Sequence, residues 1–310
     1  MGPTEQIARY RRFLKRRNYS VHTVKNYVNM LGHFSKWLQV PVEQATSKEA
    51  DAYMDYLLRR RKKPKTINCH MGCIHAYYDY LIEDEGMPLA NPVKKNYRLR
   101  LPRPLPKHLR DEQVAALFKE ITDTRDRAMF TLMLRCGLRV EEVARLTVDA
   151  IEYRSRQLWV FNGKGSKDRI VYLSEDAHTS LEEYMKKRRL SKEKKVFLVR
   201  KGPLRGKPIS VRGIQKRIEY YAHGTGIEVS CHHLRHTMAT QLLNADADLV
   251  TIQDLLGHSK ITTTQCYCRV SNLKVQRDYF KAIKVVLQRT QPIREDNFQW
   301  DRKGIMENTF

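Results

Sequence analysis

Apolar residues recur at helical spacing in four stretches of the first hundred residues. From Ser20 to Leu38 the stripe is Val24, Tyr27, Val28, Leu31, Phe34, Trp37 and Leu38, with Ser20 available as an N-cap. Similar patterns cover Gln6 to Arg17, Lys48 to Arg61 behind Ser47, and Lys65 to Glu83, where Ile67, Met71, Ile74, Tyr78, Leu81 and Ile82 form the stripe. Four helices on short links predict a small bundle.

Asn91-Pro92 and Leu101-Pro-Arg-Pro-Leu-Pro106 then break the periodicity, and their prolines favour an extended basic strap. Helical patterns resume from Asp111 to Ile121 and from Arg125 to Arg135. Strand-like segments near Leu158 to Phe161 and Arg169 to Leu173 flank a Gly163-Lys164-Gly165 turn. Further helices are predicted over Ser174 to Leu190, Val211 to His223, Leu234 to Asn244, Leu249 to Leu255 and Asn272 to Leu287. The expected organisation is a helical domain over 1–95, a Pro-rich basic linker over 96–108, a mainly α domain with a small β-sheet (α+β) over 109–288, and a polar tail over 289–310.

Composition adds a partner to this picture. The 310 residues are 41% hydrophobic, enough for a core in each of two domains, and carry a formal net charge of +24. Residues 1–106 hold 20 Lys and Arg against 9 Asp and Glu, and the remainder 38 against 25, so both halves are basic. Positive charge on segments that also carry helical stripes points to a folded nucleic-acid clamp rather than a sticky tail. No apolar leader opens the chain and no stretch approaches the roughly 18 apolar residues of a membrane span, so no membrane partner and a cytoplasmic location are expected. The six cysteines sit mostly in apolar patterns, as reduced core residues would, and no disulfide is expected. Cys69 and Cys73, one helical turn apart, read as core packing.

Four separated clusters carry candidate chemistry: Cys136-Gly-Leu-Arg139-Val-Glu-Glu142, Gly163-Lys-Gly-Ser-Lys-Asp-Arg169, His232-His-Leu-Arg235-His236, and Leu256-Gly-His258-Ser-Lys-Ile-Thr-Thr-Thr-Gln-Cys-Tyr267. Together they supply what phosphodiester transesterification needs: a hydroxyl nucleophile, cations for two non-bridging oxygens, and proton donors and acceptors for the attacking and leaving oxygens. Taken singly, each has an ordinary reading. The chain has 16 tyrosines, most of them packing residues; Arg139 could be a surface ion pair and Lys164 a solvated turn residue. Cys231, His232, His233, His236, Cys266 and Cys268 invite a zinc reading, which is set aside because no CxxC pair with its matching His or Cys pair is present. No metal and no cofactor are therefore expected.

In order and spacing the clusters resemble the tyrosine recombinase family, which includes Xer recombinases and phage integrases. The resemblance extends to the N-terminal helix with Ser20, Thr23, Tyr27, Leu31, Phe34 and Trp37, which looks like the family's DNA-clamping domain. It implies a helical SAM-like core-binding domain followed by a recombinase catalytic domain. It also implies that Tyr267 attacks the scissile phosphate, giving a 3′-phosphotyrosine and a free 5′-hydroxyl without ATP or metal. By the same resemblance Arg139 and Arg235 grip the phosphate, Lys164 is the general acid with Lys167 the weaker candidate, and His232 is the general base. His258 would hydrogen-bond the phosphate, Glu142 would orient its catalytic neighbours, and His236 would have a structural role.

Lys25, Asn26, Asn29 and Lys36 lie off the apolar stripe of the Ser20 helix, and Arg212, Lys216 and Arg217 are expected to share a face of a later one. Either set can be an ordinary solvated face; the resemblance implies phosphate contacts from both and major-groove reading by the second. The implied partner is double-stranded DNA with specific core sites, exchanged within a homo-tetramer with or without a second recombinase. Leu273, Tyr279, Phe280, Ile283 and Leu287 could dock on a neighbouring protomer or pack on their own domain. The alternatives are a type IB topoisomerase-like relaxase and a catalytically silent DNA-binding regulator; the recombinase-type N-terminal domain argues against the first and the six competent residues against the second. The clamp helices begin almost at the N-terminus, which favours a Xer-like or transposon-encoded enzyme over an arm-binding integrase.

Overall fold

The computed structural model describes residues 3–102, 106–161, 168–188, 192–258, 260–269 and 279–286. The chain divides into two compact units, Met1–Arg103 and Pro104–Phe310.

The first unit is built from α1 (Pro3–Arg16), α2 (Val21–Trp37), α3 (Ser47–Arg59) and α4 (Pro64–Glu83). Ser20 caps α2, its hydroxyl accepting from the Thr23 amide at 3.1 Å. At α3 the cap is Thr46 rather than the expected Ser47. Glu49, three residues on, reaches back to the Thr46 amide at 2.7 Å, and the residue three beyond Ser47 is an alanine that cannot do so. α4 opens on Pro64, whose missing amide has no partner to lose in a first turn. The four inward stripes meet in a core rich in aromatic rings: Tyr10, Phe34, Tyr53, Tyr77 and Tyr78 are buried with Leu31, Ile67 and Ile74. Of the two cysteines expected there, only Cys73 is buried; Cys69 is exposed. All six cysteines are free thiols.

The second unit runs α5 (Asp111–Glu120), α6 (Thr124–Arg135), α7 (Val140–Arg145), β1 (Ile151–Glu152), β2 (Gln157–Val160), β3 (Arg169–Tyr172), α8 (Glu175–Lys187), α9 (Val211–Thr225), α10 (Cys231–Asn244), α11 (Leu249–Leu256) and α12 (Ile261–Thr264). Residues 279–286 are helical. The strands form one antiparallel sheet in the order β1-β2-β3, with Val160 opposite Arg169 at the turn end. This is the mainly helical fold with a small sheet that the patterning predicts. α7, β1 and α12 were not anticipated, being too short to leave a periodic trace.

Packed against α8 and α10, α6 is buried along its length from Ala128 to Leu134. Its first turn also buries Asp126, fully inaccessible, which accepts from Arg125 at 2.7 Å and Arg217 at 2.5 Å. A carboxylate in such a place is tolerable only because two guanidiniums compensate the lost hydration. Met238, Ala239, Leu243, Ile252, Leu256 and Tyr267 make a separate small cluster between α10, α11 and the turn after α12.

Candidate active site

The site is assembled on the ends of short elements. Arg139 precedes the first turn of α7, and the Glu142 carboxylate, three residues on, accepts from its backbone amide at 2.7 Å and from its guanidinium at 2.8 Å. From β3, Arg169 makes a paired contact to the same carboxylate at 2.9 and 2.8 Å, and its Nε donates to the Leu255 carbonyl at 2.8 Å. Burial pushes the Glu142 carboxyl up, but the hydrogen bonds and charge of Arg169, and then of Arg139, outweigh it and hold the pKa at about 2. Glu142 is thus a fixed anion shared by two cations. Arg139 is the more open of them, with 20% of its side chain exposed against 9% for Arg169.

Arg235, on α10, is 1% exposed. Its two terminal nitrogens donate to the carbonyls of Gly137 and Leu256. Gly137 has a φ of +63°, and a Cβ there would lie 3.0 Å from Leu256 and 3.2 Å from Met238, so only glycine lets this turn close over the guanidinium. Gly257 ends α11 in the same left-handed conformation, where a Cβ would crowd Arg169 at 3.1 Å. The residue it releases, His258, bonds through Nδ1 to the buried Thr264 hydroxyl at 2.9 Å. Burial, then the charges of Arg235, Arg139 and Arg169, lowers the His258 pKa to about 4.

α10 begins three residues earlier than its periodicity suggests, because Ser230 caps it by accepting from the His233 amide at 3.4 Å. That start puts His232 and His236 one turn apart on the same helix face, their rings edge to face at 4.1 Å. His236, for which the resemblance implies only a structural role, lies against the nucleophile candidate: its Nδ1 is 2.7 Å from the Tyr267 hydroxyl. His232, the expected base, is the outer ring of the pair and exposed. Tyr267 itself is 1% exposed. Burial and Cys266 raise its pKa, Arg235 and Arg139 oppose them, and the result is about 12.

Arg139, Glu142, Arg235, His258 and Tyr267 are therefore drawn together from four segments, and Arg169 and His236 belong with them. Arg169 lay in one of the four clusters, but its distance from Arg139 in sequence hid the shared carboxylate. Lys164 and Lys167 lie outside the described residues. No three His, Cys, Asp or Glu side chains among the described residues are arranged to hold a metal ion.

The residues expected on DNA fare unevenly. Lys25, Asn26, Asn29 and Lys36 are exposed on α2, and Arg212 and Lys216 on α9. Arg212 bonds Glu219 at 3.0 Å. Arg217 does not join their solvent face: it turns inward to Asp126 and the Tyr221 hydroxyl and lies over the rings of Tyr220 and Tyr221. A buried carboxylate needs its cation more than the surface does, which the helical spacing alone could not reveal. Among the described residues no helix is long and apolar enough to cross a membrane.

The sequence matches the Phage integrase family over residues 107–274 and the Phage integrase N-terminal SAM-like domain over 7–86. It is 32% identical to a tyrosine recombinase XerC of Staphylococcus haemolyticus, over 86% of this chain and 92% of that one. A tyrosine recombinase XerD of Pseudomonas putida is 34% identical over 83% and 90%, and a XerA of Thermococcus kodakarensis 30% identical over 87% and 92%. In fold, the chain is similar to the Tn1549 transposon integrase in complex with transposon right end DNA (TM-score 0.74, 18% identity, 92% and 100% covered). It is also similar to the XerH recombinase bound to a palindromic difH substrate (TM-score 0.71, 20% identity, 85% and 80% covered).

Proposed function

The chain belongs to the phage integrase family as a Xer-like tyrosine recombinase, and from that premise we propose that it recombines specific sites in double-stranded DNA through a covalent 3′-phosphotyrosine on Tyr267. The observation that carries this reading is the convergence of Tyr267 with two guanidiniums and two neutral imidazoles in one pocket of the second unit. A scissile phosphate brought there meets cations already gathered and fixed by their own hydrogen bonds. Arg139 and Arg235 stabilise the extra negative charge of the pentavalent transition state, and both stay protonated throughout. Glu142 and Arg169 keep Arg139 in place, and His258 donates to a non-bridging oxygen.

The Tyr267 oxygen forms the bond to phosphorus as the bond to the 5′-oxygen breaks, and Lys164 supplies that oxygen with its proton. The phosphodiester's bond energy is kept in the protein–DNA link, so the free 5′-hydroxyl of a second site can reverse the step and complete the exchange. Lys25, Asn26, Asn29 and Lys36 on the first unit, with Arg212 and Lys216 on the second, contact the duplex; Arg217 supports α9 from within. Exchange takes place in a tetramer. The 279–286 helix, with Tyr279 58% and Phe280 54% exposed, is the segment available to dock on a neighbouring copy.

Suicide duplexes nicked beside the cut, carrying candidate sites from the DNA flanking the gene, test the nucleophile. A 3′-linked adduct with wild-type protein and none with Tyr267→Phe is the expected result. An adduct persisting in Tyr267→Phe would remove Tyr267 from the mechanism.

A further inference from the structure

We infer that Gly32 marks the place where the DNA backbone comes closest to α2, its missing side chain letting the helix seat directly against a deoxyribose-phosphate strand. The inference rests on the reading of Lys25, Asn26, Asn29 and Lys36 as DNA contacts. It adds the residue that sets how near those contacts can come.

Gly32 lies in the interior of α2 and has no left-handed backbone that would call for glycine. A glycine inside a helix loses more conformational freedom on folding than an alanine, and shifts the folding equilibrium unfavourably by about two- to fivefold. Nothing inside the protein needs the room it leaves: a Cβ added at Gly32 would meet no atom within 4 Å. Other helical glycines read differently. In α4 a Cβ on Gly72 would lie 2.8 Å from the Tyr97 hydroxyl, and in α9 one on Gly213 would lie 3.0 Å from Ile209. Gly224 also faces open space, but it falls in the last turn of α9, where helices fray and propensity counts for little.

The neighbours of Gly32 say what the room is for. Gly32 follows Asn29 by three residues and precedes Lys36 by four, so the three adjoin on the helix surface, and Lys25 lies two turns back on the same side. All three neighbours are exposed, and none of their side chains has a hydrogen-bond or ion-pair partner among the described residues. α2 contains no Asp or Glu to repel a phosphate. A protein partner covering this face would have to desolvate two lysines, whereas a polyanion neutralises them.

Removing the Cβ lets a strand approach nearer by about 1.5 Å, the length of one carbon–carbon bond. A lysine stem can follow a more distant strand, but an asparagine cannot. The closer seating therefore decides whether Asn29 donates directly to a phosphate oxygen or only through a water. A contact of this kind carries no sequence information, so Gly32 sets affinity rather than the choice of site.

Denaturant melts and DNA-binding titrations of the full chain carrying Gly32→Ala or Gly32→Gln test the inference, with Lys25→Ala as the reference for the α2 face. The probes are a random-sequence duplex and duplexes carrying candidate sites from the DNA flanking the gene. Gly32→Ala is expected to stabilise the fold by about two- to fivefold in the folding equilibrium. It is also expected to weaken binding to every duplex by about tenfold, the worth of one hydrogen bond to a charged group. Gly32→Gln, a longer side chain that also favours helix, is expected to keep the stability gain and weaken binding further. Lys25→Ala should weaken every duplex and lower the slope of log affinity against log salt by about 1. Stabilised Gly32 variants that bind like wild type would overturn the inference, while the loss in Lys25→Ala keeps α2 as the DNA face. A Gly32→Ala chain less stable than wild type would overturn it by showing that the fold itself demands glycine. Weakening confined to one site duplex would make Gly32 a base contact and overturn the backbone assignment. Unchanged binding in Lys25→Ala as well would remove α2 from the DNA interface and Gly32 with it.

Discussion

Each unit buries a tyrosine hydroxyl against a histidine Nδ1: Tyr53 with His70 at 3.1 Å in the first, Tyr267 with His236 at 2.7 Å in the second. Both tyrosines are 1% exposed and burial raises the pKa of both. What differs is the company. Around Tyr53 stand Tyr56, Cys73 and the rings of Phe34 and Trp37, which offer an anion nothing. Around Tyr267 stand Arg235 and Arg139, whose charges oppose the rise. One pair is a satisfied core contact and the other lies within reach of two positive charges, and the distinction lies in neighbouring guanidiniums rather than in the pair.

Stripping the cations from Tyr267 should turn it into a second Tyr53. Arg235→Ala is the largest such change, and loss of one donor to a developing oxyanion costs about 10²–10³-fold in single-turnover cleavage. It also leaves the Gly137 and Leu256 carbonyls without their donor, so a lower melting temperature should accompany the lost rate.

Acid dissects the same scaffold through Glu142. A carboxylate whose folded pKa is depressed contributes stability above its unfolded value, near 4.5, and loses that contribution as pH falls toward about 2. The window corresponds to about 3 kcal/mol. Wild type should therefore lose stability more steeply than Glu142→Gln in denaturant melts across it.

Next in size is Tyr53→Phe, which orphans the His70 nitrogen at a cost of about 1–3 kcal/mol. It should lower the melting temperature and leave adduct formation untouched, the reverse of Tyr267→Phe. Smallest is the pair Arg212→Ala with Lys216→Ala. If each side chain meets one phosphate, the slope of log affinity against log salt should fall by about 2 in binding titrations, with cleavage at saturating DNA unchanged.

Most helices were legible because each buries one face, and Ser20 could be read as a cap from its place before the Val24 stripe. The sequence also announced Arg139, Arg235, His258 and Tyr267, whose spacing within short motifs is a local property. What stayed hidden was whatever depends on distant segments meeting. Arg169 and Arg139 share Glu142 only because β3 comes up beside α7. Arg217 looked like a surface cation because Asp126, its partner, lies 91 residues away inside the core. His232 and His236 are equivalent in helical pattern, and only the position of Tyr267 tells them apart.

Tyr267 is also one of six buried residues in the small cluster with Met238, Ala239, Leu243, Ile252 and Leu256. On the proposed mechanism the ring that reaches the phosphate is also a stopper in its own domain's wall, so that cutting would ease it from its seat. Resting durability and readiness to react are thereby coupled through one side chain. Substitutions that tighten the seat, such as a larger residue at Ala239, should raise the melting temperature and slow adduct formation together if the added volume is accommodated.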